Sequence, residues 1–219
     1  MPKKDFPFQI PEWAEAVTQA LLRTLRERDP YTYGHCHRVA RNAKMLAQAA
    51  GLNERDQTIV QHASLFHDLG KLGIPDSILL KPARLTAEEA AIMREHPLKS
   101  VEILTPLSKI PFFGSLIPGI THHHERIDGA GYPFGVKGEA IPLAARIILI
   151  SDTFDAMTTH RPYRQGMSTE IAYRELKQFA GRQFDPHLVK VFLESHPHWG
   201  DFEEETTQEF VAANFRRVA

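Results

Sequence analysis

A single cysteine, Cys36, stands in a chain of 219 residues, so no intramolecular disulfide can form and a reducing compartment is expected. No apolar run approaches the roughly 20 residues that a membrane-spanning helix needs. The opening MPKKDFPFQIPEW also lacks the apolar stretch of a secretory signal. A cytoplasmic protein without membrane association is the expectation. An excess of either charge is missing too: 26 Lys and Arg against 27 Asp and Glu leave a net charge of −1. That balance excludes a basic nucleic-acid surface or a polybasic membrane patch as the organising feature. Strand-like alternation, internal repeats and low-complexity tracts are absent. With 42% hydrophobic residues, the chain can bury a core as one domain with extensions. What is abundant is histidine: there are 12, several of them where an apolar helix face is expected.

The apolar spacing predicts an all-α, compact multi-helix bundle. Pro11 opens a helix carrying Trp13, Val17, Leu21 and Leu25, which should end near Asp29-Pro30. This stripe predicts packing on the helix's own domain, with a homodimer seam as the alternative. A second helix runs from about 34 to 50 and stops at Gly51; its stripe is Val39, Ala43, Leu46, Ala47 and Ala50, with His35 on it. A third covers about 54 to 69, with Ile59, Ala63, Phe66 and His67 on one side. Thr86 and Glu89 form a capping box that opens a helix carrying Ile92, Met93 and His96. Leu116, Ile117 and Ile120 lead to His123 and His124, with Pro118 and Gly119 disturbing the first turn. Residues 125–142, with four glycines, form a long connection of the kind that is more often functional or mobile than idle. Helix returns over 144–159, placing Asp152 and Asp155 on one face. Asp185-Pro186 then caps a helix through Phe192.

The strongest local signal is His67-Asp68. Adjacent residues cannot share a helical face, but at a helix end both side chains can turn toward one ion. His35, His96, His123, His124 and Asp152 follow at intervals of roughly one helix plus its connection, so a bundle can bring them to a common centre. Imidazole and carboxylate suit Fe, Mn, Ni, Co or Zn, and the lack of thiolate clusters argues against a structural zinc knot. Asp68 has two oxygens with which to bridge two ions. Such ions, roughly 3.5–4 Å apart, hold a bridging hydroxide and clamp the attacked and leaving oxygens of a phosphodiester. One histidine on an apolar face is ordinarily a hydrogen-bonded core residue. Several inward-facing His and Asp residues, with Asp68 and Asp152 in the apolar contexts SLFHDLG and IILISD, favour a metal site instead.

The segments GHCHRVA (34–40), LFHDLGKLGIPDSILLKPARLT (65–86), REHP (94–97), HHERIDGAGYPFGVKGEAIPLAARI (123–147), SDTFDAMTTHRPYR (151–164) and QFDPHLV (183–189) resemble, in order, the HD-GYP domain of the HD phosphohydrolase superfamily. The resemblance implies a catalytic domain over 30–195, between an N-terminal helical extension (1–29) and a C-terminal extension (196–219). Residues 1–29 are too few for a folded sensor domain, so a stand-alone hydrolase or a piece of a larger one is expected. The implied activity is hydrolysis of cyclic di-GMP to linear pGpG or on to GMP. By the same likeness, His35, His67, Asp68 and Asp152 serve one metal. Asp68 bridges to a second held by His96, His123 and His124. Lys71 contacts the substrate phosphate, where a fixed cation stabilises developing charge. Asp155 and Arg161 match substrate-binding positions, and Arg161 and Arg164 can meet phosphate or stack on guanine. The GYP triplet, Gly131-Tyr132-Pro133, is placed at the substrate, with Tyr132 capping the pocket, meeting a partner protein or anchoring the loop.

Two departures bear on this. Some members bind a third metal through a glutamate four residues before the first histidine; here that residue is Tyr31, so two divalent ions, Fe or Mn first, are expected. Cys36 stands where serine is frequent and reads as a small neighbour of a ligand, with a metal contact as the alternative. Glu125 is read either as a residue that orients a ligand histidine or as a solvated loop acid. His37 and His122 flank candidate ligands but should point elsewhere. Two other functions compete with the phosphodiesterase: a non-catalytic receptor for the nucleotide or docking module for a partner such as a diguanylate cyclase domain, and a hydrolase of another cyclic dinucleotide.

Overall fold

The computed structural model describes residues 12–160 and 165–200. They form ten α-helices and no β-strand. The helices are α1 (Glu12–Arg28), α2 (Pro30–Ala49), α3 (Glu54–Phe66), α4 (Asp76–Leu79), α5 (Ala87–Met93), α6 (His96–Leu104), α7 (Pro111–His122), α8 (Leu143–Thr158), α9 (Thr169–Gln178) and α10 (Pro186–Ser195). The expected all-α architecture is present. No helix among the described residues is long and apolar enough to cross a membrane.

Local chemistry sets the boundaries. Asp29 is the N-cap of α2: its carboxylate accepts from the Thr32 amide at 3.0 Å, and Pro30 occupies the first turn, where its missing N–H costs nothing. The second helix therefore starts four residues earlier than the apolar pattern suggests. The capping box of α5 forms as expected, with Thr86 N to Glu89 at 2.8 Å and Glu89 N to Thr86 at 3.3 Å. The helix it opens does not reach His96. Pro97 has no N–H to give the Met93 carbonyl, so α5 closes at Met93 and α6 begins at His96.

Two apolar clusters share α2 and α8. One joins α1, α2, α3 and α7 around Leu22, Leu25, Phe66, Phe113 and Leu116. The other joins α2, α8, α9 and α10 around Leu46, Ile150, Leu176, Leu188 and Phe192. Each fully buried Phe or Leu contributes about 1.5–3 kcal/mol relative to exposure. The face that α1 buries is Ala14, Thr18, Leu22 and Leu25, one residue round from the predicted stripe, while Trp13 remains 47% exposed. Arg28 at the end of α1 ties down the chain after α3: its guanidinium donates to the carbonyls of Leu72 and Ile74 and pairs with Asp76 at 2.7 Å. At the other end, Arg41 donates to the carbonyls of Trp199 and Gly200.

Candidate metal centre

The helix ends converge on one buried centre. α2 carries His35 in its second turn. α3 stops at Phe66, so that His67 and Asp68 leave the helix before a 3₁₀ turn, Leu69–Gly73. His96 opens α6, His123 and His124 follow α7, and Asp152 lies on α8. All seven expected ligands are brought together. Ligating atoms of His35, His67 and Asp152 lie within 4.8 Å of one another, as do those of His96, His123 and His124, and those of His67, Asp68 and His123.

Asp68 stands between the first two triads. Its Oδ1 is 3.2 Å from His96 Nε2, while its Oδ2 is 3.6 Å from His35 Nε2 and 3.5 Å from His67 Nε2. Its position depends on a contact absent from the sequence reading. Ser100, one turn beyond His96 on α6, donates to the His67 carbonyl at 2.9 Å and accepts from the Gly70 amide at 2.7 Å. A Cβ on Gly70 would lie 2.1 Å from the His96 carbonyl oxygen, so only glycine lets the turn approach α6 this closely.

The tautomers follow from the same geometry. A carbonyl can only accept, so a ring nitrogen facing one must carry the proton. His67 Nδ1 faces Ser64 O at 2.6 Å, His96 Nδ1 faces Met93 O at 2.8 Å, and His123 Nδ1 faces Ile120 O at 2.6 Å. The Met93 oxygen is the one that Pro97 leaves free. All three rings therefore present a bare Nε2 lone pair to the centre. His67 Nε2 has no hydrogen-bond partner, and His96 Nε2 faces His123 Nε2 at 3.2 Å with no proton to lie between them. Burial, which disfavours imidazolium, holds these histidines neutral: His96 is pushed down to about 4, His124 to about 3, and His67 and His123 also fall below the usual value. Converging lone pairs next to a carboxylate repel one another unless a cation lies among them. The donor set fits divalent metal.

His35 differs. Its Nδ1 meets Asp155 Oδ2 at 2.7 Å and its Nε2 meets Asp152 Oδ1 at 3.0 Å. Burial opposes the charged ring, but the hydrogen bonds to Asp152 and Asp155, with the charges of Asp152 and Asp68, outweigh it and raise the pKa to about 9. Burial likewise opposes ionisation of Asp68; Lys71 Nζ, 2.6 Å from its Oδ2, and the surrounding histidines reverse that and hold Asp68 well below the carboxylate range. Asp152 is also lowered, burial being overcome by His35.

Several of the expected site residues have protein partners. One oxygen of Asp155 holds His35, and Arg38 grips both through Nε at 2.7 Å and Nη2 at 3.1 Å. Lys71 rests on Asp68. Gly131 lies against backbone: a Cβ there would be 2.5 Å from Arg126 N and His124 O. That approach lets the Tyr132 amide donate to His124 O at 3.2 Å and stacks the Tyr132 ring on His124, centroids 4.7 Å apart. The Tyr132-Pro133 peptide is cis. Glu125 is no solvated loop acid; it is buried and accepts from the Phe134 amide at 2.7 Å, tying the GYP loop to the histidine turn. Cys36 is buried, burial pushes its thiol pKa up, and it belongs to none of the three ligand groups. His37 is lowered to about 4 by burial and packs against the Tyr33 ring at a tilt of 60°. Arg161 and Arg164 lie outside the described residues. Arg38 and Ser100 went unrecognised in the sequence, although each lies one helical turn from a ligand histidine, at i+3 and i+4.

The profile of the HD domain family matches residues 19–188, and the chain belongs to that family. The GYP segment and its neighbours place it with the HD-GYP group. It is 39% identical over 186 residues to the cyclic di-GMP phosphodiesterase response regulator RpfG of Xanthomonas campestris, covering 84% of this chain and 49% of the relative. It is also 39% identical over 191 residues to a 3'3'-cGAMP-specific phosphodiesterase of Vibrio cholerae, covering 87% of this chain and 36% of the relative. This chain thus spans about half or less of the length of these relatives. An HDG"Y"P protein of Bdellovibrio bacteriovorus shares the fold, with a TM-score of 0.60 at 15% identity, over 82% of this chain and 61% of the other.

Proposed function

We propose that this chain is a metal-dependent phosphodiesterase that hydrolyses cyclic di-GMP to pGpG. The observation that carries the reading is the pair of ligand triads on either side of Asp68, with three imidazole lone pairs aimed inward and no proton to separate them. In the proposal, His35, His67 and Asp152 hold one divalent ion, His96, His123 and His124 hold another, and Asp68 serves both. When bound, the ions supply Lewis-acid polarisation of the phosphodiester and activation of the attacking water.

The chain's own residues do the rest. Asp155, backed by Arg38, keeps His35 turned inward. Lys71 is the nearest cation to Asp68 and offers its ammonium to the substrate phosphate when metal replaces it there. Tyr132 forms a ring wall beside His124. Two ions rather than three are proposed, because the Tyr31 ring lies parallel to His35 where a third site would need a carboxylate. Iron or manganese suits the mixed nitrogen and oxygen donors.

The proposed catalytic unit is 30–195, flanked by extensions 1–29 and 196–219. The leucines of α1 are packed inside its own core, so a homodimer through that stripe is not part of the proposal. Phe134, 60% exposed on the GYP loop, supports a protein partner such as a diguanylate cyclase domain at that face. The reduced, buried Cys36 supports a cytoplasmic setting.

The test is a single preparation, loaded anaerobically with Fe or Mn, assayed for metal content and for product. Cyclic di-GMP should give pGpG, and Asp68→Ala should lose both metal and turnover. Tight nucleotide binding by metal-loaded protein without turnover would establish a receptor instead.

A further inference from the structure

Arg94 lies at the break between α5 and α6, two residues before His96. Its side chain is exposed, and its guanidinium carbon is 5.6 Å from the centre of the Tyr132 ring. Tyr132 in turn stacks on His124 at 4.7 Å, with an interplanar angle of 26°, and meets His96 edge-on at 6.5 Å. One continuous line of planar groups thus leads from the proposed metal ligands to the rim of the site: imidazole, phenol, guanidinium. Among the described residues the Arg94 guanidinium makes no ion pair or side-chain hydrogen bond. A guanidinium over an aromatic ring is held by the attraction of its charge for the ring, which leaves N–H groups available as donors.

Tyr132 and Arg94 border the candidate ligands His124 and His96, so a base of a cyclic dinucleotide whose phosphate sits at the proposed metal centre can pass along this ring wall. Cyclic di-GMP, cyclic GMP-AMP and cyclic di-AMP carry the same phosphate charge, so Lys71 and the metal ligands cannot tell them apart. Only the base edges differ. Guanine presents two acceptors, O6 and N7, that match the fork of arginine. Adenine presents N7 beside an N6 donor, which a guanidinium cannot satisfy.

We propose that Arg94 is a specificity-determining residue that reads the O6/N7 edge of the guanine lying against Tyr132. The proposal rests on the phosphodiesterase reading and names the base preference of that same site. Arg94 is exposed and outside both apolar clusters, so its substitution leaves the fold intact. Wild-type protein and the Arg94→Ala, Arg94→Lys and Arg94→Gln variants are compared on cyclic di-GMP, cyclic GMP-AMP and cyclic di-AMP. kcat/KM is measured on metal-loaded protein, and equilibrium binding of the same three dinucleotides on chelator-treated protein.

The wild type should favour cyclic di-GMP over cyclic di-AMP. That ratio should fall roughly 10- to 100-fold in Arg94→Ala, the discrimination expected of one bidentate base contact. Arg94→Lys keeps the charge but loses the fork and should fall with it. Arg94→Gln, whose amide matches adenine N6/N7, should move furthest toward the adenine-containing substrates. An equal loss on all three dinucleotides would make Arg94 a phosphate contact and overturn the proposal. An unchanged ratio, with cyclic di-GMP still cleaved, would overturn it while leaving the phosphodiesterase reading in place. Wild-type protein that cleaves none of the three would end both.

Discussion

His35 and Asp155 meet at 2.7 Å through Nδ1 and Oδ2, on the side of the imidazole opposite the nitrogen that faces Asp152 and the candidate metal centre. A carboxylate in this place fixes the ring's orientation and strengthens the other nitrogen as a donor to metal. Asp155→Asn should therefore lower metal affinity about 10- to 100-fold. Competition with a calibrated chelator measures it. Substrate affinity at saturating metal should stay near the wild-type value, because Asp155 has no free oxygen to offer a nucleotide.

The pH dependence of the metal-free protein has two limbs. His96 and His124 sit at about 4 and about 3, below their ordinary value of 6.5. As pH falls below 6.5 the unfolded chain takes up protons that the folded chain refuses, so stability drops. His35, at about 9, works in the opposite direction. Its contribution is complete below 6.5 and is lost as pH climbs through 9. Urea midpoints of chelator-treated protein from pH 4 to 9 should peak near 6.5. Bound metal should remove the alkaline limb, because it requires His35 deprotonated. A midpoint that rises steadily to pH 9 without metal would contradict this assignment.

Ser100 closes the gap between α6 and the His67-Asp68 turn. Ser100→Ala leaves the Gly70 amide buried without its acceptor and should cost about 1–3 kcal/mol. Gly70→Ala should be worse, since its new Cβ meets backbone rather than a movable side chain. Denaturant unfolding of both variants checks the order.

Metal should also stabilise the fold by mass action. Free ion at a hundredfold excess over its dissociation constant adds about 2.7 kcal/mol for one site. Thermal unfolding with and without Mn, repeated on Asp68→Ala, should show the shift in the wild type and its loss in the variant.

Most of the bundle was legible because its helices carry periodic apolar stripes, and the convergence of the candidate ligands because histidine and aspartate interrupt those stripes at regular intervals. Where reading failed, local chemistry outweighed periodicity. Asp29-Pro30 does mark the end of α1, which stops at Arg28, but it also begins α2, a start that the apolar pattern put four residues later; the same pair at Asp185-Pro186 was read as a start. His96 was placed within a helix that Pro97 in fact terminates. Asp155 shares a helical face with Asp152, and the family resemblance alone gave it a substrate-binding role. Its actual partner, His35, is 120 residues away, and only the packing of α2 on α8 joins them. Ser100 and Arg38 are ordinary polar helix residues in sequence, and nothing marks them until the third dimension supplies Gly70 and Asp155.

The i−3 carbonyls that hold His67, His96 and His123 make ring orientation a local property. Each imidazole is aimed by a backbone oxygen three residues behind it, not by its fellow ligands. Position comes from the bundle, direction from the nearest turn. Removing one imidazole would delete one coordination point and leave its neighbours still pointing inward. In the proposed metal centre, single imidazoles could therefore be removed one at a time while the rings that remain keep their direction.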